Sequence, residues 1–441
     1  MRLTGWGRYP RHETTVLEPD DLSDAAQLHR AGTGLVARGN GRAYGDAAIG
    51  LTRTLLTRRL DRMISFDPST GRLEVEAGVL LVDILAFAVP RGFFPPVVPG
   101  TKFVSVGGMI AADVHGKNHH IDGGFGRHVE TLDLALPDGS RVTCSAHENS
   151  EMFTATIGGM GLTGTILSAA FRLRRIATSF VQQRTIVAAD LDAAMAALDA
   201  SLDATYSVAW IDCLAQGARL GRALVYRGEH ACADALPQGR PAFRSARKSH
   251  MAVPFDMPSF MLNRLSVTAF NEIYFRRGAA KAGRDFFVAI DPYFFPLDGI
   301  ADWNRIYGAR GFVQHQCVIP KAASRAAFGE ILERISRLGT PSFLAVLKLL
   351  GPGDGLMSFP LEGYTLALDF PVSAATLRLL DEIDAIVVAA GGRLYLAKDA
   401  RQAPATFECG YAQALPQFRA LRRAIGAPGK IESRLSRRLG F

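Results

Sequence analysis

The cluster His115-Gly-Lys-Asn-His-His120 is the part of this 441-residue chain best suited to move a proton or hold an anion. A lysine becomes a base near neutrality only when burial or nearby positive charge lowers its pKa by ~3 units, about 4 kcal/mol. Left charged, such a lysine would instead hold a substrate oxygen or another developing negative charge. Lys348 lies inside an apolar run, residues 343–350, where an unpaired ammonium is costly. It either faces a cavity and meets a phosphate there, or snorkels from a strand edge to water. Gln314 and Gln316 are two apart on a predicted strand, so they share one face, either turned to a polar ligand or simply exposed. His115 and Lys117 serve an active site or form a structural cap. No metal site is expected: His119 and His120 are adjacent, so their side chains diverge, and no carboxylate or cysteine lies at ligand spacing.

The chain that must position these groups is rich in glycine. Residues 97–126 are studded with it, and Val36-Ala-Arg-Gly-Asn-Gly-Arg-Ala-Tyr-Gly-Asp46 leaves no side chain at Gly39, Gly41 and Gly45 to keep a pyrophosphate from the backbone. Together the two loops suggest a dinucleotide held by main-chain N–H groups. A third segment, Gly158-Gly-Met-Gly-Leu-Thr-Gly164, contains a formal GxGxxG. A Rossmann site is rejected, because that fingerprint needs a following helix and residues 165–175 read as a half-alternating strand.

In this order the motifs resemble the vanillyl-alcohol-oxidase (p-cresol-methylhydroxylase) class of FAD enzymes, through the Gly39–Asp46 loop, Pro99-Gly-Thr101, Val106-Gly-Gly-Met-Ile110, His115 to His120 and Gly158 to Gly164. Within that class the resemblance is to the decaprenylphosphoryl-β-D-ribose 2-oxidase family. It runs from Thr4-Gly-Trp-Gly-Arg8 through Asp302-Trp-Asn-Arg-Ile-Tyr-Gly308, Gln314-His-Gln316 and Leu396-Ala-Lys-Asp399 to Arg437-Arg-Leu439. The resemblance implies an α+β, two-domain fold: an FAD-binding domain over residues 1–177, a mixed antiparallel-sheet substrate domain over 178–392, and a C-terminal segment, 393–441, returning to the first domain. It implies FAD contacts at Arg38, Gly39, Asn40, Gly41, Arg42, Ala43, Tyr44, Gly45, Asp46, Gly100, Thr101, Ser105, Gly107, Gly108, Ala112, His115, Ile166 and Tyr395. Lys398, His115 and Lys117 fall at catalytic positions, and Gln314, Gln316, Lys348, Thr365 and Ala367 at substrate positions.

The activity so implied is oxidation of the ribose C2 hydroxyl of a polyprenylphosphoryl-β-D-ribose to the 2-keto sugar, with hydride passed to the flavin. An NAD(P)H-dependent reductase partner would then complete epimerisation to the arabinose donor of cell-wall arabinan. Charged, Lys398 would hold the substrate oxygen or the reduced flavin. Several members of the class attach FAD through a histidine of the first glycine loop; residues 39–45 contain none, so a non-covalent flavin is expected. Mycobacterial members carry Asn, Ile and Cys where this chain has Thr365, Leu366 and Ala367, so nitro-aromatic inhibitors that trap that cysteine should not bond covalently here. Phe294, in the loop Pro292-Tyr-Phe-Phe-Pro296, stands where a tyrosine is expected. The alternatives are a soluble sugar-alcohol or aldonolactone oxidase of the same fold using oxygen, and a flavin-bearing scaffold without turnover.

Composition sets the outer bounds. The length implies two domains. Fifty basic against 42 acidic residues give a formal charge of +8, which would attract a phosphorylated lipid at an anionic membrane face or simply reflect arginine-rich composition. No basic stripe is interleaved with aromatics, so nucleic acid is not expected as a partner. No apolar stretch reaches the ~18 residues of a membrane span, and the N-terminus lacks the apolar core of a secretory signal. The chain is therefore expected in the cytoplasm or peripherally at the inner membrane. Five scattered cysteines, an odd number, read as free thiols.

Periodicity predicts helices over 20–32, 190–200 and 373–390, and another after Pro320 that stops at Gly339. Strands are predicted over 131–136, 206–212, 221–227, 342–350, 364–370 and 393–397. From 111 to 175 strands and glycine turns dominate. Residues 232–262 lack a period and read as a mobile loop over the substrate mouth or as a surface insertion without function.

Overall fold

The computed structural model describes residues 1–30, 32–243, 251–258, 261–339, 342 and 344–441. Three parallel strands, Thr15–Leu17, Arg53–Leu56 and Leu35–Arg38, lead the chain into the first glycine loop. Beside them lies a five-stranded antiparallel sheet in the order Arg141–Ser145, Val129–Ala135, Thr165–Arg172, Arg72–Glu76, Met63–Asp67. Helices Leu81–Ala88 and Val106–Ala111 pack on it around a core of Leu73, Val75, Ile84, Met109, Ile110 and Phe171. The GxGxxG segment feeds the central strand Thr165–Arg172, the topology that excludes a Rossmann site.

A second sheet of eight strands pairs antiparallel throughout, in the order Asp285–Ala289, Phe180–Ala188, Ala223–His230, Tyr206–Ile211, Ala345–Leu350, Gly363–Pro371, Phe312–Pro320, Arg393–Leu394. Helices Leu191–Asp199, Lys321–Leu338 and Ala374–Ala389 cover one face with an apolar core. The opposite face holds Gln314, Gln316, Lys348 and Ala367 toward the glycine loops. Gly339 ends the long helix in the left-handed conformation, φ +66, as its position after the last apolar repeat predicts.

The last helices, Pro404–Tyr411, Leu415–Ala424 and Arg434–Leu439, return to the first sheet. There Leu35 exchanges backbone hydrogen bonds with Lys430 and Glu432, and Arg434 donates to Ile49. The N-terminus closes on the same place, Trp6 and Gly7 donating to the carbonyls of Ala43 and Tyr44.

Several expectations need correction. Pro292–Pro296 is not an open loop: helix Ile290–Phe294 occupies most of it, with proline inside its first turn, where no helical N–H is lost. The extended segment expected over 393–397 is a strand only at Arg393–Leu394, and Lys398 sits in the turn that follows, its N–H bonded to the Tyr395 carbonyl. Helices His119–Asp122 and Ser150–Thr156 interrupt the stretch expected to be strands and turns. A sixteen-residue helix, Arg264–Ala279, had no counterpart in the periodicity, because Leu265, Phe270, Ile273 and Tyr274 lie on its outer side and erase the usual polar–apolar contrast. Part of the segment 232–262 lies outside the described residues; its described part includes strand Met251–Ala252, paired in parallel with Ile300–Ala301, and Asp256, ion-paired to Arg8 at 2.5 Å.

Candidate active site

The two glycine loops face each other across a cavity of about 400 Å³, lined by Gly39 to Tyr44 on one wall and by Gly100, Thr101, Ser105, Gly107, Gly108 and Ala112 on the other. That volume is in the range of sites that enclose small ligands and cofactors. The backbone N–H groups of residues 39–43 find no acceptor among the described residues, while the next, Tyr44, donates to Ala397. Five successive unpaired donors on a cavity wall form an anion cradle. Glycine is required there for contact: a Cβ on Gly39 would fall 1.9 Å from Ser105 Oγ, the cap of helix Val106–Ala111. A Cβ on Gly100 would meet nothing within 4 Å, since that face opens to the cavity. These orphaned donors fit a pyrophosphate, and the apolar wall of Met160, Ile166 and Tyr395 fits a flat ring system.

Not all residues implied as cofactor contacts reach this cavity. Arg38 donates to the carbonyls of Thr4, at 2.7 Å, and Ala48. Gly45 lies against the carbonyl of Asp399, where a Cβ would come within 2.0 Å. Asp46 is buried and paired to Arg438 at 2.9 Å, and Arg438 also pairs Asp399 at 2.9 Å. These three residues brace the cradle from behind.

Three lysines converge on the cavity from three separate elements. Lys117 donates to the Tyr293 carbonyl and lies 4.2 Å from the centroid of that ring; burial, helped by Lys348, pulls its pKa to about 7. Lys348, on strand Ala345–Leu350, makes no hydrogen bond or ion pair among the described residues, and burial lowers it to about 8. It lines the cavity. Lys398 stands 3.7 Å from the Tyr44 ring centroid; burial and Lys348 push its pKa down, and the Asp369 carboxylate opposes them.

Asp369 is the site residue that sequence reasoning left as a mere strand position. It is fully buried, accepts a hydrogen bond from the Gln314 amide on Oδ1, and has no partner on Oδ2. Burial pushes its carboxyl well above the usual range, with Gln314 and Lys398 acting the other way. A signal was present: an aspartate alternating with Thr365 and Ala367 on a strand whose other side is wholly apolar.

Gln316 donates to His115 Nε2 at 2.9 Å and to Thr365 Oγ1 at 3.2 Å, so the His115 proton sits on Nδ1, which is buried and unpartnered. Burial, with Lys348, holds this ring neutral. Thr365 therefore lies behind Gln316 rather than on the cavity wall, whereas Gln314, Gln316 and Ala367 line it. The mouth is a band of apolar and aromatic side chains from the second sheet and the unforeseen helix: Val208, Trp210, Tyr226, Tyr274, Leu344 and Val346. Trp210 and Tyr274 have ring centroids 4.7 Å apart. Phe294 reaches the cavity from a cluster with Phe94 and Tyr206 and brings no hydroxyl.

Residues 14–145 match a family model described as an FAD binding domain, which covers the cradle and the second glycine loop. The chain is 36% identical to decaprenylphosphoryl-β-D-ribose oxidase of Mycolicibacterium smegmatis over 99% of its own length and 97% of that protein's. It is 34% identical to an uncharacterized protein of Streptomyces coelicolor over 82% of this chain and all of that one. Cytokinin dehydrogenase 4 of Arabidopsis thaliana is similar over only 32% of the chain, at 30% identity. The likeness to the cytokinin dehydrogenase thus stays local, while the likeness to the oxidase carries through both sheets and the lysine-bearing turn: the chain is an FAD-dependent oxidoreductase and belongs to the decaprenylphosphoryl-β-D-ribose oxidase family.

Proposed function

We propose that the chain oxidises the C2 hydroxyl of a polyprenylphosphoryl-β-D-ribose to the 2-keto sugar, the first half of an epimerisation that an NAD(P)H-dependent reductase completes. One observation supports this above others: the Lys348 ammonium, unpartnered among the described residues, lines the same cavity as an anion cradle and a band of apolar side chains. A phosphate esterified to an apolar chain on one side and a sugar on the other suits such a site. FAD, held non-covalently by residues 39–43 and the Ser105–Ala112 segment, supplies the acceptor for the hydride leaving C2. Lys398 Nζ, in the field of the Asp369 carboxylate, takes the hydroxyl proton as the C2–O bond becomes a carbonyl. Gln314 and Gln316 orient the ring hydroxyls, and Lys117 and Lys348 hold the phosphate. The neutral His115 ring keeps Gln316 in place. In this reading residues 1–177 bind the cofactor, 178–392 bind substrate, and 393–441 return with Lys398 and Arg438 to the first unit; the protein acts peripherally at the inner membrane, where such a lipid resides.

The test is an anaerobic titration of the flavin-loaded protein with farnesylphosphoryl-β-D-ribose, following oxidised-flavin absorbance. Bleaching by the lipid, and none by free ribose, xylitol or gulonolactone, is expected. Bleaching by free polyols alone would assign the chain to the sugar-oxidase class, and no bleaching at all would remove the oxidase reading.

A further inference from the structure

Seven of the fourteen large hydrophobic side chains that are exposed among the described residues fall between residues 251 and 274: Met251, Phe255, Met261, Leu265, Phe270, Ile273 and Tyr274. Leu265 is 83% exposed and Ile273 53%. A soluble surface scatters such residues singly, and a cluster marks a contact. Helix Arg264–Ala279 keeps only Val267 and Asn271 buried, and Leu265, Phe270, Ile273 and Tyr274 stand among its exposed residues.

Two further observations say what covers this face. The charge is one-sided: Arg264, Arg276, Arg277, Lys281 and Arg284 stand in and just after the helix, against two acids that are both already paired, Glu272 with Arg222 and Arg276, and Asp285 with Arg184. An apolar face rimmed by cations is complementary to an anionic bilayer. The face is also continuous with the cavity. Phe270 stacks near Tyr274 at 5.9 Å, Tyr274 packs on Trp210 at 4.7 Å, and Tyr274 and Trp210 line the mouth.

We propose that helix Arg264–Ala279 docks on an anionic phospholipid bilayer, with Leu265 and Ile273 entering the interface, so that the cavity mouth opens toward the lipid phase. The assignment builds on the lipid substrate proposed above, because a prenyl chain then passes from bilayer to cavity along Phe270, Tyr274 and Trp210.

The experiment is flotation of the flavin-loaded protein with phosphatidylcholine vesicles containing phosphatidylglycerol, compared with phosphatidylcholine alone. Binding to the anionic vesicles is expected, weakened by about tenfold or more in Leu265→Glu/Ile273→Glu. That double variant should keep its flavin and bleach with farnesylphosphoryl-β-D-ribose as the parent does, since neither side chain lines the cavity. Leu265→Trp, an independent probe, should shift its emission to the blue on the same vesicles. No binding by the parent, equal binding by the double variant, or an unshifted tryptophan would each overturn the proposal. A parent dimer that Ile273→Glu dissolves would also overturn it, assigning the face to a second copy. Flotation needs no turnover, so failure of the oxidase reading and failure of docking are read separately.

Discussion

Lys348→Met should stabilise the flavin-free protein at neutral pH while disabling substrate capture. Burial lowers this ammonium from 10.5 to about 8, and each unit is worth about 1.4 kcal/mol. The unfolded chain keeps its proton up to the ordinary lysine range and the folded chain releases it near 8, so the folded state pays the full penalty below that value and sheds it as pH rises. Water in the open cavity screens part of the effect, which makes about 3 kcal/mol an upper figure at pH 7, shrinking to below about 1 kcal/mol near pH 10. Thermal denaturation of the apoprotein across that range should show the methionine variant melting above the parent at pH 7, with the two curves converging at pH 10. The same variant should bind farnesylphosphoryl-β-D-ribose at least about tenfold more weakly, the loss of one charge-assisted phosphate contact. A variant that melts below the parent at pH 7, or whose advantage does not fade with rising pH, would refute the claim that Lys348 is a buried, unpaired charge kept for its ligand.

Gly39→Ala places a methyl 1.9 Å from Ser105 Oγ; overpacking of this kind costs ~1–3 kcal/mol, so FAD affinity measured by flavin fluorescence should fall about tenfold or more, and Ser105→Ala in the same chain should restore part of it. Asp369→Asn removes the charge that supports protonated Lys398, so the acid limb of the pH profile for flavin reduction should move to lower pH; an unmoved limb would separate Asp369 from the proton transfer. Nitro-aromatic inhibitors that trap a cysteine should leave the turning-over protein unlabelled by mass spectrometry, because a methyl stands at Ala367 on the cavity wall, and Ala367→Cys should gain the adduct.

The parts of the site legible in the sequence were those where one residue type is forced by geometry. Gly39 and Gly100 are glycine because backbone or cofactor must come close, and that requirement shows as spacing before any fold is known. Strand Gly363–Pro371 and helix Lys321–Leu338 announced themselves by period, since each has one side turned to a single core. What failed to show depended on partners far along the chain. Arg38, Gly45 and Asp46 look like cofactor ligands in their loop, yet Thr4, Asp399 and Arg438 claim them. Trp210, Tyr226 and Tyr274 become a mouth only when two strands and a helix are brought side by side. Asp369 gains meaning from Gln314 on the neighbouring strand and Lys398 in a distant turn.

The closing of both chain ends over the first glycine loop bears on how the protein is made. Synthesis delivers residues 36–46 early, but the Ala397 carbonyl that fixes Tyr44 and the Arg438 guanidinium that holds Asp46, 392 residues further on, follow much later. Contacts of such long sequence separation form late. A nascent chain therefore carries the cradle's donors through synthesis of both sheets without the framework that aims them, and takes up cofactor only once that framework has been made. Flavin colour in a freshly made preparation then counts molecules that have closed this contact, and a stop codon just before Arg438 would leave a protein with most of its core and no yellow.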